Sequence, residues 1–269
     1  MIIDSPPLVR PGKKFSLAKI ETRENGGFDS KEDGVAASLK RLAKLPELQE
    51  RLYAESSRSL LIVLQALDTG GKDGTIEHVF RSVNPQGCSV TSFKAPTAVE
   101  KAHDYLWRVH AALPARGMIG ILNRSHYEDV LVPAVKEWLP HDRIKQRYRQ
   151  INDFERTLTE EGTTIVKIML HISKDEQKER LVARQDDVEK HWKFDASDLE
   201  TRRDWEKYQK AYDRLLNECS SEHAPWYVVP ADRKWYRNYV VSDLIVKALE
   251  AMNPHYPKVA VDPRTFVIE

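Results

Sequence analysis

Residues 59–67 of this 269-residue chain read Ser-Leu-Leu-Ile-Val-Leu-Gln-Ala-Leu, and they run directly into Asp68-Thr69-Gly70-Gly71-Lys72-Asp73-Gly74-Thr75. A continuous apolar run of that length predicts a strand buried on both faces, as in a parallel sheet. The run enters a glycine-rich turn and then a lysine at the start of a helical pattern over 72–83, which is the context a phosphate-binding loop requires. Glycines let backbone N–H groups converge on phosphate oxygens, and the helix N-terminus adds positive potential. Lys72 can place its ammonium between two phosphates. The stretch departs twice from G-x-x-x-x-G-K-[ST]: Ala66 stands at the first glycine, and Asp73 at the hydroxyl that binds Mg²⁺. A plain strand–turn–helix, with glycines serving positive φ, explains Gly70, Gly71 and Gly74 but not Asp68. A carboxylate inside a phosphate turn repels its ligand unless a cation lies between, so Asp68 is expected to supply the metal anchor.

Further strand patterns fall at 88–93, 117–122, 163–170 and 226–230. They are separated by helical patterns at 98–112, 126–138, 143–161, 174–188 and 232–251. Alternation of this kind predicts an α/β fold with a five-stranded parallel sheet covered by helices on both faces. Residues 1–30 read as an N-terminal arm, with Pro6, Pro7, Pro11 and Gly12 against a helix. Residues 31–269 read as a single domain, with a helix over 31–56 interrupted at Pro46. Lys plus Arg number 42 against 41 Asp plus Glu. A near-neutral balance excludes a general coat for nucleic acid, so any polyanion is held at a local site. The longest apolar stretch is too short to span a bilayer. Cys88 and Cys219 match neither a zinc nor a disulfide pattern, which points to a reducing cytoplasm.

A second cluster comes after the strand at 117–122: Asn123-Arg124-Ser125-His126-Tyr127-Glu128-Asp129. Ligands of open α/β sheets bind at the carboxyl ends of strands, so this cluster should face the phosphate turn. Arg124 can neutralise a transferring phosphoryl group, and Glu128 or Asp129 can hold Mg²⁺. Adjacent helical residues point about 100° apart, so these two carboxylates have different tasks. His126 reads as a packing residue. Residues 174–218 carry helical patterns dense in Lys and Arg, including Arg180 and Arg184. They read as a solvated helical hairpin or as a lid over an anionic substrate. Other basic residues suited to a polyanion channel are Arg81, Lys94, Lys101 and the alternating run Arg143, Lys145, Arg147 and Arg149. Such spacing spreads that run around a helix, so the four cannot share one groove. Trp226 and Trp235 flank the last strand and read as core.

Taken together and in order, ALDTGGKDGT (66–75), NPQG (84–87), KAPT (94–97), NRSHYEDVLVP (123–133), EKHWKF (189–194) and APWYVVPADRKWYRNYVV (224–241) resemble the polyphosphate kinase 2 family over residues 10–255. Asn123 and Glu128, where diphosphate-specific members read DRSWYNR, look like the family's class III subgroup. The resemblance implies a P-loop kinase three-layer sandwich with a helical lid at 174–218. It implies inorganic polyphosphate as donor and AMP or ADP as acceptor, adenine or guanine, in a reversible transfer with Mg²⁺ or Mn²⁺. By motif position Asp68 and Asp129 match the metal-associated aspartates, Lys72 the loop lysine, and Arg124 the arginine after the third strand. Residues 69–75, with Arg180 and Arg184 from the lid, would bind phosphate. Asn123 and Glu128 would bind the acceptor nucleotide. A homo-oligomer, dimer or tetramer, is also implied. Two other readings share some of these features: an ATP-dependent nucleoside monophosphate kinase of the thymidylate-kinase type, and a non-catalytic polyanion sensor. The retained Lys72, Asp68 and Asp129 argue against the sensor.

Overall fold

The computed structural model describes residues 6–268. Its strands are β1 (Leu8–Val9), β2 (Ser59–Ala66), β3 (Cys88–Ser92), β4 (Ile119–Asn123), β5 (Thr163–His171) and β6 (Trp226–Pro230). The helices are α1 (Lys31–Leu42), α2 (Leu45–Glu55), α3 (Lys72–Phe80), α4 (Ala98–Lys101), α5 (Trp107–His110), α6 (Glu128–Val135), α7 (His141–Glu160), α8 (Lys174–Asp186), α9 (Ser197–Arg203), α10 (Trp205–Glu218) and α11 (Lys234–Met252). The strands form one sheet in the order β1-β6-β5-β2-β4-β3. β2 to β6 run parallel, and β1 pairs antiparallel with β6.

The sheet therefore has six strands where the apolar runs predict five. The extra strand is two residues long and comes from the N-terminal arm. Pro7-Leu8-Val9 is too short to show a period, and β6 supplies its pairing through the Leu8–Tyr227 and Val9–Trp226 register. The arm is held elsewhere too: Leu17 N–H donates to Asp213 at 2.7 Å, and Thr22 Oγ1 donates to Asp232 at 2.8 Å. The pattern over 98–112 also divides, into the short helices α4 and α5. A capping box closes Thr97 onto Glu100, and Asp104 Oδ1 accepts from Leu106 N–H, so the chain re-starts rather than continues.

α1, α3 and α11 cover one face of the sheet, and α6, α7 and α10 the other. β2 lies at the centre, buried along its whole length between β5 and β4. Trp226 is fully buried in the resulting core, as expected, and Trp235 is half-buried against the ring of Phe28. The register sets Leu64 of β2 opposite Asn123 of β4, so the turns that leave these two strands are neighbours at the carboxyl edge.

Candidate active site

The turn after β2 is shaped by close approach. A Cβ on Gly70 would lie 2.5 Å from the Ala66 Cβ, so Gly70 folds back onto the alanine that stands at the motif's first glycine. Gly71 has φ +96°, and Thr69 reaches φ +61° despite its branched side chain. Non-glycine residues in that region cost free energy and concentrate at functional sites. The turn leaves Thr69 Oγ1 buried with no hydrogen-bond partner among the described residues. α3 starts at Lys72 with Gly71 as its N-cap and no side chain capping it, so its first N–H groups face the turn.

β4 ends in the same way. Arg124, the first residue beyond it, has φ +61°, and its N–H donates to Leu64 O at 3.1 Å. That bond turns the chain toward β2, and Arg124 Nη2 reaches Asp68 Oδ1 at 2.7 Å. Asn123 Nδ2 donates to Asp73 Oδ1 at 2.7 Å, closing α3 onto the end of β4. Lys72, 9% exposed, donates from Nζ to Ala66 O at 2.9 Å. Burial and the Arg124 charge push the Lys72 pKa down, against the pull of Asp68, Glu128 and Asp73. Burial raises the Glu128 carboxyl, with Arg124 and Lys72 opposing. With its amide turned to suit the surrounding donors and acceptors, Gln65 donates to Glu128 Oε1 at 2.9 Å and accepts from Ser125 N–H. Lys72, Arg124, Asp68, Asp73, Asn123 and Glu128 thus form one cluster.

Asp129 faces elsewhere. Its Oδ2 accepts from Arg108 Nη2 at 3.1 Å, and its carbonyl accepts from Arg147 Nη1 at 2.6 Å. Arg108 is itself buried and donates to Lys94 O of the loop after β3. The carboxylate that couples to Lys72 and Arg124 is therefore Glu128, and Asp129 belongs to the Arg108 side. Of the alternating basic run, Arg147 turns inward onto Tyr105 and Asp129, while Arg143, Lys145 and Arg149 are exposed.

The segment at 174–218 docks on the turn. Gln177 Nε2 donates to Asp68 O at 3.2 Å. Arg180 spends every nitrogen on protein: Nε on Glu176, Nη1 on Thr69 O at 2.9 Å, and Nη2 on Ala231 O at 2.6 Å. Arg184 Nη1 bonds Lys193 O and Asp198 Oδ2. Both arginines expected on phosphate are therefore engaged by protein in this conformation: Arg180 ties the segment to the loop at Thr69, and Arg184 bonds within the segment itself. Asp198, of which the motifs give no sign, is the carboxylate that meets Arg184. Burial and the Asp68 charge push its carboxyl up to about 6, with Arg184 opposing. Val188 and Trp192, at the tip of the segment, are each 77% exposed.

His126, expected to pack, is fully buried and bonds Glu155 at 3.2 Å. It belongs to a buried network centred on Glu155 and Lys167, although its own Nδ1 has no partner among the described residues. Glu155 accepts from Tyr127 OH at 2.7 Å, and Lys167 Nζ meets Glu155 Oε2 at 2.5 Å.

The family model of polyphosphate kinase 2 matches residues 29–257. The chain is 50% identical over 265 residues to the AMP/ADP-polyphosphate phosphotransferase of Meiothermus ruber, covering 97% of this chain and 98% of that protein. It is 44% identical over 262 residues to the ADP-polyphosphate phosphotransferase of Rhodopseudomonas palustris, covering 93% and 91%. The crystal structure of polyphosphate kinase 2 from Arthrobacter aurescens TC1 superimposes with a TM-score of 0.91 at 45% identity, over 97% of this chain and 96% of that one. With the loop, the arginine after β4 and the lid all on one scaffold, the chain belongs to the polyphosphate kinase 2 family.

Proposed function

We propose that this phosphotransferase moves the terminal phosphoryl group of inorganic polyphosphate onto AMP and ADP, reversibly, as class III members do. The observation that carries the reading is the meeting of Lys72, Arg124 and Asp68 where β2 and β4 end side by side. A nucleotide phosphate is already an anionic nucleophile, so in-line attack needs placement and charge neutralisation rather than a strong base. The Gly70–Gly71 amides and the start of α3 receive phosphate oxygens, and the buried Thr69 hydroxyl has capacity for one. Lys72 exchanges Ala66 O for phosphate, whose negative charge would offset the burial and the Arg124 charge that lower its pKa. Arg124, 41% exposed at its side chain, swings from Asp68 to the transferring group. The docked lid excludes water. Glu128 and Asn123 orient the acceptor from the β4 side.

The donor set fits a hard divalent cation. Asp68 is a carboxylate with little exposure at the mouth of the loop, and its charge adds to the burial that raises both the Asp198 and the Glu128 carboxyls. Among the described residues no three His, Cys, Asp or Glu side chains form a cage. That suits Mg²⁺, or Mn²⁺, which takes one or two carboxylates and completes its shell with phosphate oxygens and water. Asp68 would hold it, and bound there it would neutralise charge on the phosphates in transfer. Asp129 is the second assigned carboxylate, reached once Arg108 is drawn away.

The test is incubation with AMP, Mg²⁺ and long-chain polyphosphate without ATP. ADP and then ATP accumulate under this reading. Transfer to AMP from ATP alone, with polyphosphate inert, would identify an ATP-dependent nucleoside monophosphate kinase instead. The reading carries with it a homo-oligomeric enzyme of the cytoplasm. Among the described residues no helix is long and apolar enough to cross a membrane.

A further inference from the structure

Arg237, in the first turn of α11, is 3% exposed. Its guanidinium fills the space that Gly71 leaves empty: a Cβ there would stand 1.9 Å from Arg237 Nη1 and 3.6 Å from Arg180 Nη1. Nε and Nη2 donate to Asn238 Oδ1 at 3.1 and 2.8 Å, a neutral acceptor on the adjacent residue. Among the described residues no carboxylate pairs with it, and no bond from Nη1 completes it. Burial, and after it the neighbouring Arg180 charge, lowers its pKa to about 10. Lys234, one turn earlier, is pushed down by burial and by the same two arginines. Buried charges in proteins are ordinarily paired, because desolvation is otherwise uncompensated. Here a buried cation and a second arginine converge on a turn of bare amides. Arg180 has committed all its nitrogens and Arg237 has not.

We infer that Arg237 is a phosphate-binding residue, gripping with Nη1 a phosphate of the polyphosphate donor at the Gly71 turn. The inference rests on the polyphosphate-dependent reading above. It explains a conformational choice as well: at φ +96° and with Arg237 behind it, position 71 has room only for hydrogen.

The experiment uses the full chain, with Arg237→Gln and Arg237→Lys. Each is titrated with inorganic polyphosphate without nucleotide, and separately with AMP without polyphosphate. A charge-assisted bond lost at phosphate weakens polyphosphate binding about tenfold or more in Arg237→Gln and leaves AMP binding within about twofold. Arg237→Lys, which keeps the charge, falls between. Without ligand, Arg237→Gln melts no lower than the wild type, because an unpaired buried charge has been removed, and its polyphosphate-induced rise in Tm shrinks. Polyphosphate affinity within about twofold of wild type in both variants overturns the inference, as does a loss confined to AMP, which would place Arg237 on the nucleotide. Should Arg237→Gln not fold, Arg237→Lys decides alone: unchanged polyphosphate affinity and unchanged melting increment sink the assignment. Wild-type protein that binds no polyphosphate refutes the functional reading itself, a result distinct from either variant's failure.

Discussion

Two lysines lie buried in this molecule with opposite surroundings. Lys167, on β5, is fully buried, and each of its donors is used: Glu155 Oε2 at 2.5 Å, Cys219 O at 2.6 Å and Tyr127 OH at 2.8 Å. The rings of Tyr127 and Trp226 flank it at 5.3 Å. Lys72, at the end of the glycine turn, has one carbonyl at 2.9 Å and carboxylates only at a distance. The first is an ammonium completed by protein, and it ties β5 to α7 and to the end of α10. The second is open, and its deficit of counter-charge is repeated in Arg237 beneath the same turn. A buried cation completed by protein holds the fold; one left incomplete is set for a ligand.

The sharpest way to break this contrast is to remove each ammonium. Lys167→Met strands the Glu155 carboxylate in the core, and breaking a buried pair costs about 3–5 kcal/mol. Denaturant unfolding should show that loss. Lys72→Ala should do the reverse, with unfolding free energy retained and turnover from polyphosphate to AMP reduced about 100- to 1,000-fold. If Lys72→Ala unfolds easily, or turns over near the wild-type rate, the distinction between closed and open cations fails.

A finer comparison sets the two assigned metal carboxylates against each other. Asp68 lies in the loop, while Asp129 is engaged by Arg108. Asp68→Asn is expected to shift the Mg²⁺ concentration for half-maximal activity upward by about tenfold or more. Asp129→Asn is expected to shift it less, because Arg108 already neutralises that side chain. Equal shifts would restore Asp129 to full partnership in the cation site, and an unmoved titration in Asp68→Asn would remove the anchor from the loop.

The centre of the site is legible in the sequence and its rim is not, for physical reasons. β2 is buried on both faces, so its apolar run is continuous, and the turn's glycines answer demands of angle and contact that no other residue meets. The local string Asn123–Asp129 also declares itself, because one turn places it. Which of Glu128 and Asp129 faces Lys72 is not legible, since that depends on where Arg108 arrives from α5. Arg237 stands inside a family motif that gives it no role, because its significance lies in contact with a turn far away in the chain. The network of Glu155 and Lys167 has no spacing to read either. Its members come from the turn before α6, from α7 and from β5, brought together only by sheet order. β1 is invisible because two residues have no period and the pairing belongs to β6.

Asp198 gives the smallest effect and the most specific one. Its carboxyl is raised from 3.8 to about 6, by burial first and by Asp68 second, with Arg184 pulling the other way. The folded chain therefore holds this proton more tightly than the unfolded chain. The associated stability is complete below about pH 4, where both states are protonated, and is lost as pH rises toward and through 6. Asp198→Asn is permanently neutral and keeps an oxygen for Arg184. It should melt above the wild type at about pH 8, with the gap closing as the pH falls through 6 toward 4. Added Mg²⁺ should narrow the gap at pH 8, because a cation at Asp68 removes the repulsion that the substitution removes. Melting curves across that range decide the matter. A gap independent of pH would mean that Asp198 is charged and paired with Arg184 throughout, and that the lid closes over the loop as a finished ion pair rather than as an acid awaiting a cation.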